Sequence, residues 1–279
     1  MISSVTETAK AKINLALHVL GRRVDGYHEL DSVVAFANIS DELELIKSDQ
    51  LNLNIIGPFA QYLTDGDDNI IIKAWHVLRG HFQNVPTVKI TLTKNLPIAS
   101  GIGGGSADAA AMLRGMLRLI GQKLSDAEIT GFAKSLGADV PVCFHETACR
   151  MQGIGEIVTP LSVALPRAIV LINPSVPCST AAVFTHLGLA KGQDHLSEID
   201  LTSPLEWRND LTGSALATQP AISQVLKALQ SEPAFTAVRM SGSGATCFGL
   251  VSSMAQASAA AARLSVKNPK WWVRAAELS

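Results

Sequence analysis

Along the first stretch of the chain, Ile13, Leu15, Leu17 and Val19 alternate with Lys12, Asn14 and His18, which predicts a strand over 11–20 with one buried face. A glycine-bounded turn at 21–26 follows, and further strands are predicted at 32–38, 41–46 and 51–55. A helix over 69–80 offers Ile72, Trp75, Val77 and Leu78 to a core, and Val88, Ile90 and Leu92 mark a strand that runs into a turn at 97–105. Ala109, Met112, Leu113, Met116, Leu117 and Ile120 then recur at the spacing of one helical face, and Gly121 stops it. Ser125 and Glu128 form a capping-box pair for a second helix that ends at 136–137.

In the second half the pattern predicts strands at 168–172, 235–240, 246–251 and 271–275. It also predicts helices at 180–187, around Ile222 to Leu229, and at 255–264, with a polar connection over 191–204. That order is a split β-α-β-β-α-β unit, so the fold class is α+β with helices on one face of an antiparallel sheet. Apolar periodicity restarts after Thr159-Pro160, dividing the chain into domains 1–159 and 160–279.

Composition narrows the partners. With 279 residues and 47% hydrophobic content the chain can bury a sizeable core. Its 23 Lys plus Arg against 24 Asp plus Glu leave a net charge of -1, which gives no electrostatic footprint for nucleic acid or an anionic membrane. An anionic ligand must therefore be met by a local site. No apolar run has the length of a signal or spanning segment, so the expected location is the cytoplasm. Cys143, Cys149, Cys178 and Cys247 form no CxxC pair and do not cluster with histidines, so reduced, buried thiols are expected.

The loop Gly101-Ile102-Gly103-Gly104-Gly105-Ser106 sits between a strand and a well-patterned helix. Glycines let the backbone approach an anion, and the helix start aims free N–H groups at it. A Walker A loop would need a following Lys, and a dinucleotide fingerprint would need Gly where Ser106 stands. A tight strand-to-helix turn is the plainer reading, but it rarely needs four glycines in five positions. A second turn, Ser241-Gly242-Ser243-Gly244-Ala245, reads equally as a hairpin or as a second wall of the same site.

Asp139, in the apolar run Leu136 to Pro141, reads locally as a cap for the helix that Pro141 opens; the alternative is a general base. Lys12, on the polar parity with Asn14 and His18, is either solvated or lines a cleft, where it would stabilise anions. Tyr27 and His28 are either surface loop residues or an aromatic pair that grips a base.

Taken in order, Ala11 to Leu15, Gly26-Tyr27-His28, Pro97 to Ala107, Leu136 to Pro141 and Ser241 to Ala245 resemble the motifs of the GHMP kinase superfamily over nearly the whole length. Lys12-x-Asn14 with Asp25-Gly26-Tyr27-His28 resembles the branch that phosphorylates the 2-hydroxyl of a cytidine diphosphate-linked methylerythritol in non-mevalonate isoprenoid synthesis. The resemblance implies an N-terminal domain like domain 2 of ribosomal protein S5 and a ferredoxin-like C-terminal domain. It also implies Asp139 as base, Lys12 as stabiliser, and Pro97, Gly101, Gly103, Gly104, Gly105 and Ser106 around the phosphates of ATP, with Mg²⁺ bridging them. Tyr27 and His28 would recognise the cytosine, Asn14 the methylerythritol end, and Gly242 and Gly244 would support the site wall. No residue is marked out as a metal ligand. A decarboxylase on the same fold and an idle ligand sensor are the competing functions.

Overall fold

The computed structural model describes residues 3–161, 163–194 and 197–279. The chain order is β1 (Ser4–Arg22), β2 (His28–Lys47), β3 (Asn52–Ile56), α1 (Ile70–His81), β4 (Val88–Thr93), α2 (Gly104–Ile120), α3 (Asp126–Leu136), α4 (Val140–His145), β5 (Cys149–Gly153) and β6 (Ile157–Pro160). It continues β7 (Ala168–Asn173), α5 (Thr180–Leu187), β8 (Gln193–Asp194), α6 (Thr212–Thr218), α7 (Ala221–Gln230), β9 (Ala237–Met240), β10 (Cys247–Val251), α8 (Met254–Lys267) and β11 (Trp272–Glu277).

These elements form two compact units that interleave along the chain. One comprises the residues up to Ala11 with Ile39–Ile98 and Gly103–Glu146; the other comprises Lys12–Asn38, Ala99–Ile102 and the chain from Thr147 on. In the first unit β4 pairs antiparallel with β2, Leu43 opposite Leu92 and Leu45 opposite Ile90, and β3 adds parallel to β4. Helix α2 packs on α1 and α4. It reaches the sheet closely because Gly115 has no side chain: a Cβ there would stand 2.6 Å from Leu45 Cδ1. The helix ends where Gly121 turns left-handed (φ 68) and Gln122 N–H donates to Leu117 O at 3.0 Å. At the start of α3 the capping box forms, Ser125 N–H donating to Glu128 Oε2 at 2.7 Å.

In the second unit β5 pairs with β2, Ser32 opposite Met151, and β6 with β5. The four-stranded sheet runs β11-β7-β10-β9, antiparallel throughout. With α5 after β7 and α8 after β10, this is the expected β-α-β-β-α-β order. Helices α7 and α8 pack on the sheet. Val170, Ile172, Ile222, Val225, Leu229, Cys247, Leu264 and Val273 make the core between them.

The expected strands 32–38 and 41–46 are one strand. Through Asp31–Ala37, β2 is buried on both faces; beyond Asp41 only alternate residues are buried, so its periodicity changes midway without a break in the backbone. Strands β5 and β6 and helix α6 were not expected, nor was β8 within the expected polar connection over 191–204; none of them is longer than seven residues. All four cysteines are free and buried.

Candidate functional site

In the second unit two glycine turns lie backbone against backbone. Gly101 is left-handed (φ 74), and a Cβ on it would run into Ser241 O and stand 2.7 Å from Gly244 O. Gly242 (φ 54) would put a Cβ 2.6 Å from Gly101 O. Ser241 Oγ donates to Gly101 O at 2.9 Å and Thr246 N–H to Ser100 O at 3.0 Å. Strand β1 joins the same cluster, Lys12 N–H donating to Ile102 O at 2.9 Å and Asn14 N–H to Ser241 Oγ at 3.0 Å. Thus Lys12, Asn14, Gly101, Gly242 and Gly244 share one neighbourhood.

Side chains there are buried but not all satisfied. Asn14 Nδ2 donates to Ser32 Oγ at 2.7 Å, and that hydroxyl donates to Ala16 O, whereas Asn14 Oδ1 has no partner among the described residues. Buried polar atoms normally find partners, so an orphan acceptor marks a place where a ligand can donate. The Lys12 side chain is buried as well. Its ammonium pulls the Cys149 thiol down, but burial outweighs it and that thiol is pushed up to about 11.

The ring of His28 lies 4.6 Å from that of Phe184 on α5, tilted by 32°, and its Nε2 has no partner among the described residues. Burial, and then the nearby charge of Arg22, hold His28 below the ordinary histidine range, so it is neutral at pH 7. A neutral imidazole offers one donor and one acceptor, as recognition of a base edge requires. Tyr27 is exposed beside it. His18 is buried, its Nδ1 bonding Ser197 O at 3.0 Å and its Nε2 likewise without a partner among the described residues. Phe184 escaped the sequence reading because one aromatic residue in a short helix has no distinguishing pattern.

In the first unit the loop enters α2. Gly103 caps the helix in left-handed conformation (φ 66), and Ala107 N–H makes the first intrahelical bond to Gly103 O. Helix geometry leaves the preceding amides without intrahelical acceptors, and no side chain caps them from Gly103. The helix opens at Gly104, inside the glycine run. Near it, Ser106 Oγ would lie 3.7 Å from a Cβ on Gly137, so the turn that carries Asp139 passes close to the start of α2.

Asp139 occupies the N-cap position of α4 but makes no side-chain capping bond. The local expectation of a cap is therefore corrected: Pro141 in the first turn reduces the donors a cap would serve, and the helix starts without it. Under Gly104 lies a buried ionic cluster that the sequence did not suggest. Lys94 Nζ donates to Asp41 Oδ2 at 2.6 Å and to Asp108 Oδ2. Among the described residues no group of three His, Cys, Asp or Glu could hold a metal ion, and no helix is long and apolar enough to cross a membrane.

Residues 69–147 match the family model for the GHMP kinases N terminal domain, and residues 196–269 that for the GHMP kinases C terminal. A crystal structure of 4-(cytidine 5'-diphospho)-2C-methyl-D-erythritol kinase superposes with a TM-score of 0.81 at 28% identity, covering 99% of each chain. The 4-diphosphocytidyl-2-C-methyl-D-erythritol kinase of Bradyrhizobium sp. (strain BTAi1) is 45% identical over 98% of this chain and 96% of its own. That of Rhodopseudomonas palustris (strain BisB18) is 44% identical over 99% and 96%. Fold and both matches define a GHMP kinase, a phosphotransferase that uses ATP. At this identity over its full length, the chain belongs to the 4-diphosphocytidyl-2-C-methyl-D-erythritol kinase family.

Proposed function

We propose that this protein transfers the γ-phosphoryl group of ATP to the 2-hydroxyl of 4-diphosphocytidyl-2-C-methyl-D-erythritol, in the cytoplasm, as a step of non-mevalonate isoprenoid synthesis. The observation that carries the reading is the full-length identity with relatives named for that substrate. His28 against Phe184, with an unused ring nitrogen, supports a cytosine contact. The orphan Oδ1 of Asn14 supports a hydrogen bond from the methylerythritol end.

In this reading the substrate oxygen attacks phosphorus as its proton passes to Asp139, the bond from the γ-phosphorus to the bridging oxygen breaks, and ADP leaves. Lys12 stabilises the charge that develops on the transferring group. Its burial makes that interaction stronger than it would be in water. The amides at Gly103, Gly104, Gly105 and Ser106 hold phosphate oxygens without any side-chain cation of a Walker type. Mg²⁺ bound with the nucleotide would supply neutralising charge to the phosphates.

The test is ADP release on mixing protein, ATP, Mg²⁺ and the cytidylated substrate, with ATP binding measured in parallel. Asp139→Asn should lower kcat by about a hundredfold or more, the range of a lost general base, with ATP affinity within about twofold of the original. Equal loss of turnover and ATP binding in a folded variant would place Asp139 at the nucleotide rather than beside the acceptor hydroxyl, and loss of the fold itself would make it a fold residue.

A further inference from the structure

The loop read as meeting the phosphates is held, in the first unit, by three ionisable residues with almost no exposure: Asp41 (0%), Lys94 (2%) and Asp108 (2%). Their bonds tie separate pieces of chain. Asp41 Oδ1 accepts from Asn95 N–H at 2.6 Å and from Leu96 N–H at 2.8 Å, which fixes the backbone as it leaves β4 toward the loop. Its other oxygen accepts from Lys94 Nζ, which also donates to Asp108 in the first turns of α2, just beyond the loop. A Cβ on Gly104 would stand 3.4 Å from that ammonium and 4.0 Å from Asp41 Oδ2, so the cluster lies directly behind the amide-bearing turn. One ammonium thus joins the strand before the loop to the helix after it.

Two features exceed what the fold alone needs. Burying an ammonium between two carboxyl groups is expensive, and well-packed apolar residues commonly hold such positions with equal or better stability. In addition, Asp108 Oδ1 is buried with no hydrogen-bond partner among the described residues, an unusual cost for a purely structural ion pair. Burial alone would lower the Lys94 pKa, but the neighbouring Asp108 and Asp41 raise it, so the ammonium is charged throughout the physiological range.

We propose that Lys94, bridged to Asp41 and Asp108, is a positioning residue for ATP: it sets the glycine turn at Gly103–Ser106 in the geometry that receives the phosphates. It touches neither substrate, and it acts through the backbone of Gly104. The proposal rests on reading that loop as the ATP phosphate site.

Lys94→Met removes the bridge and Lys94→Met/Asp108→Leu replaces it with apolar contacts; steady-state KM for ATP, KM for the cytidylated substrate and the melting temperature are measured for both and for the unaltered enzyme. The expected result is an ATP KM raised about tenfold with the other KM within twofold, in whichever variant is folded. The double variant should recover melting temperature without recovering ATP KM. A folded variant with unchanged ATP KM would overturn the proposal, as would failure of both variants to fold, since the cluster would then serve the fold alone. If the unaltered enzyme neither bound nor turned over ATP, the reading of the loop itself would fail, a distinct outcome.

Discussion

At the scale of single residues, Asp108 stands in electrostatic conflict with its surroundings. Burial pushes its carboxyl up from 3.8 to about 8; the nearby Lys94 charge opposes the shift and Asp41 adds to it. Folded protein therefore keeps a proton that unfolded chain has lost between about pH 4 and pH 8. Stability from this group is fully present below the unfolded value and declines as pH rises through the folded one, with a slope of at most about 1.4 kcal/mol per pH unit. Asp108→Asn cannot ionise and should flatten that decline. Urea melts of both proteins from pH 5 to pH 9 check it, and parallel curves would mean that Asp108 is ionised when folded. None of this was legible in the sequence: the partners lie 53 and 14 positions from Lys94, and no local spacing links them. Lys12, Asn14 and His28 stand out in the sequence as candidates because they sit in short, ordered motifs, though sequence could not show that His28 meets Phe184.

At the scale of elements, periodicity located every long helix, because a buried helical face repeats over three or more turns, as in α2 with its left-handed Gly121 end. It divided β2 in two because burial changes from both faces to one along its length. The glycine loop shows how two requirements for the same residue can be separated. At Gly101 the fold itself demands glycine: the backbone is left-handed and a methyl would meet the oxygens of Ser241 and Gly244. Gly101→Ala should cost several kcal/mol, as strained backbone with a rigid clash does, and should appear as a large fall in melting temperature. At Gly105 a Cβ would meet nothing within 4 Å, and the residue lies in the first turn of α2. Gly105→Ala should leave stability unchanged or raise it by about 0.5–1 kcal/mol, the usual helical preference. It should nevertheless weaken ATP, because the methyl occupies space open to a phosphate. A stable variant with unaltered KM for ATP would remove the reason for glycine at that position.

At the scale of the whole molecule, a chain with a net charge of -1 has no global field to gather anionic substrates, so binding must come from buried local groups. The division into units cuts through the glycine run: residues 99–102 group with the C-terminal half, and Gly103 onward groups with the N-terminal sheet and helices. Sequence periodicity could not reveal that division, since it reads neighbours along the chain and the units are assembled from distant segments. Because ATP binds only folded protein, its binding free energy adds to stability, by about 2.7 kcal/mol at a hundredfold excess over Kd. For a chain of this size that corresponds to a rise of roughly 5–10 °C in melting temperature. Asp139→Asn should retain the whole rise, since it removes chemistry and leaves the loop intact, while Gly105→Ala should retain only part of it. Thermal melts with and without Mg²⁺-ATP measure both, and an Asp139→Asn protein that no longer responds to nucleotide would place that carboxylate in the ATP site rather than beside the acceptor hydroxyl.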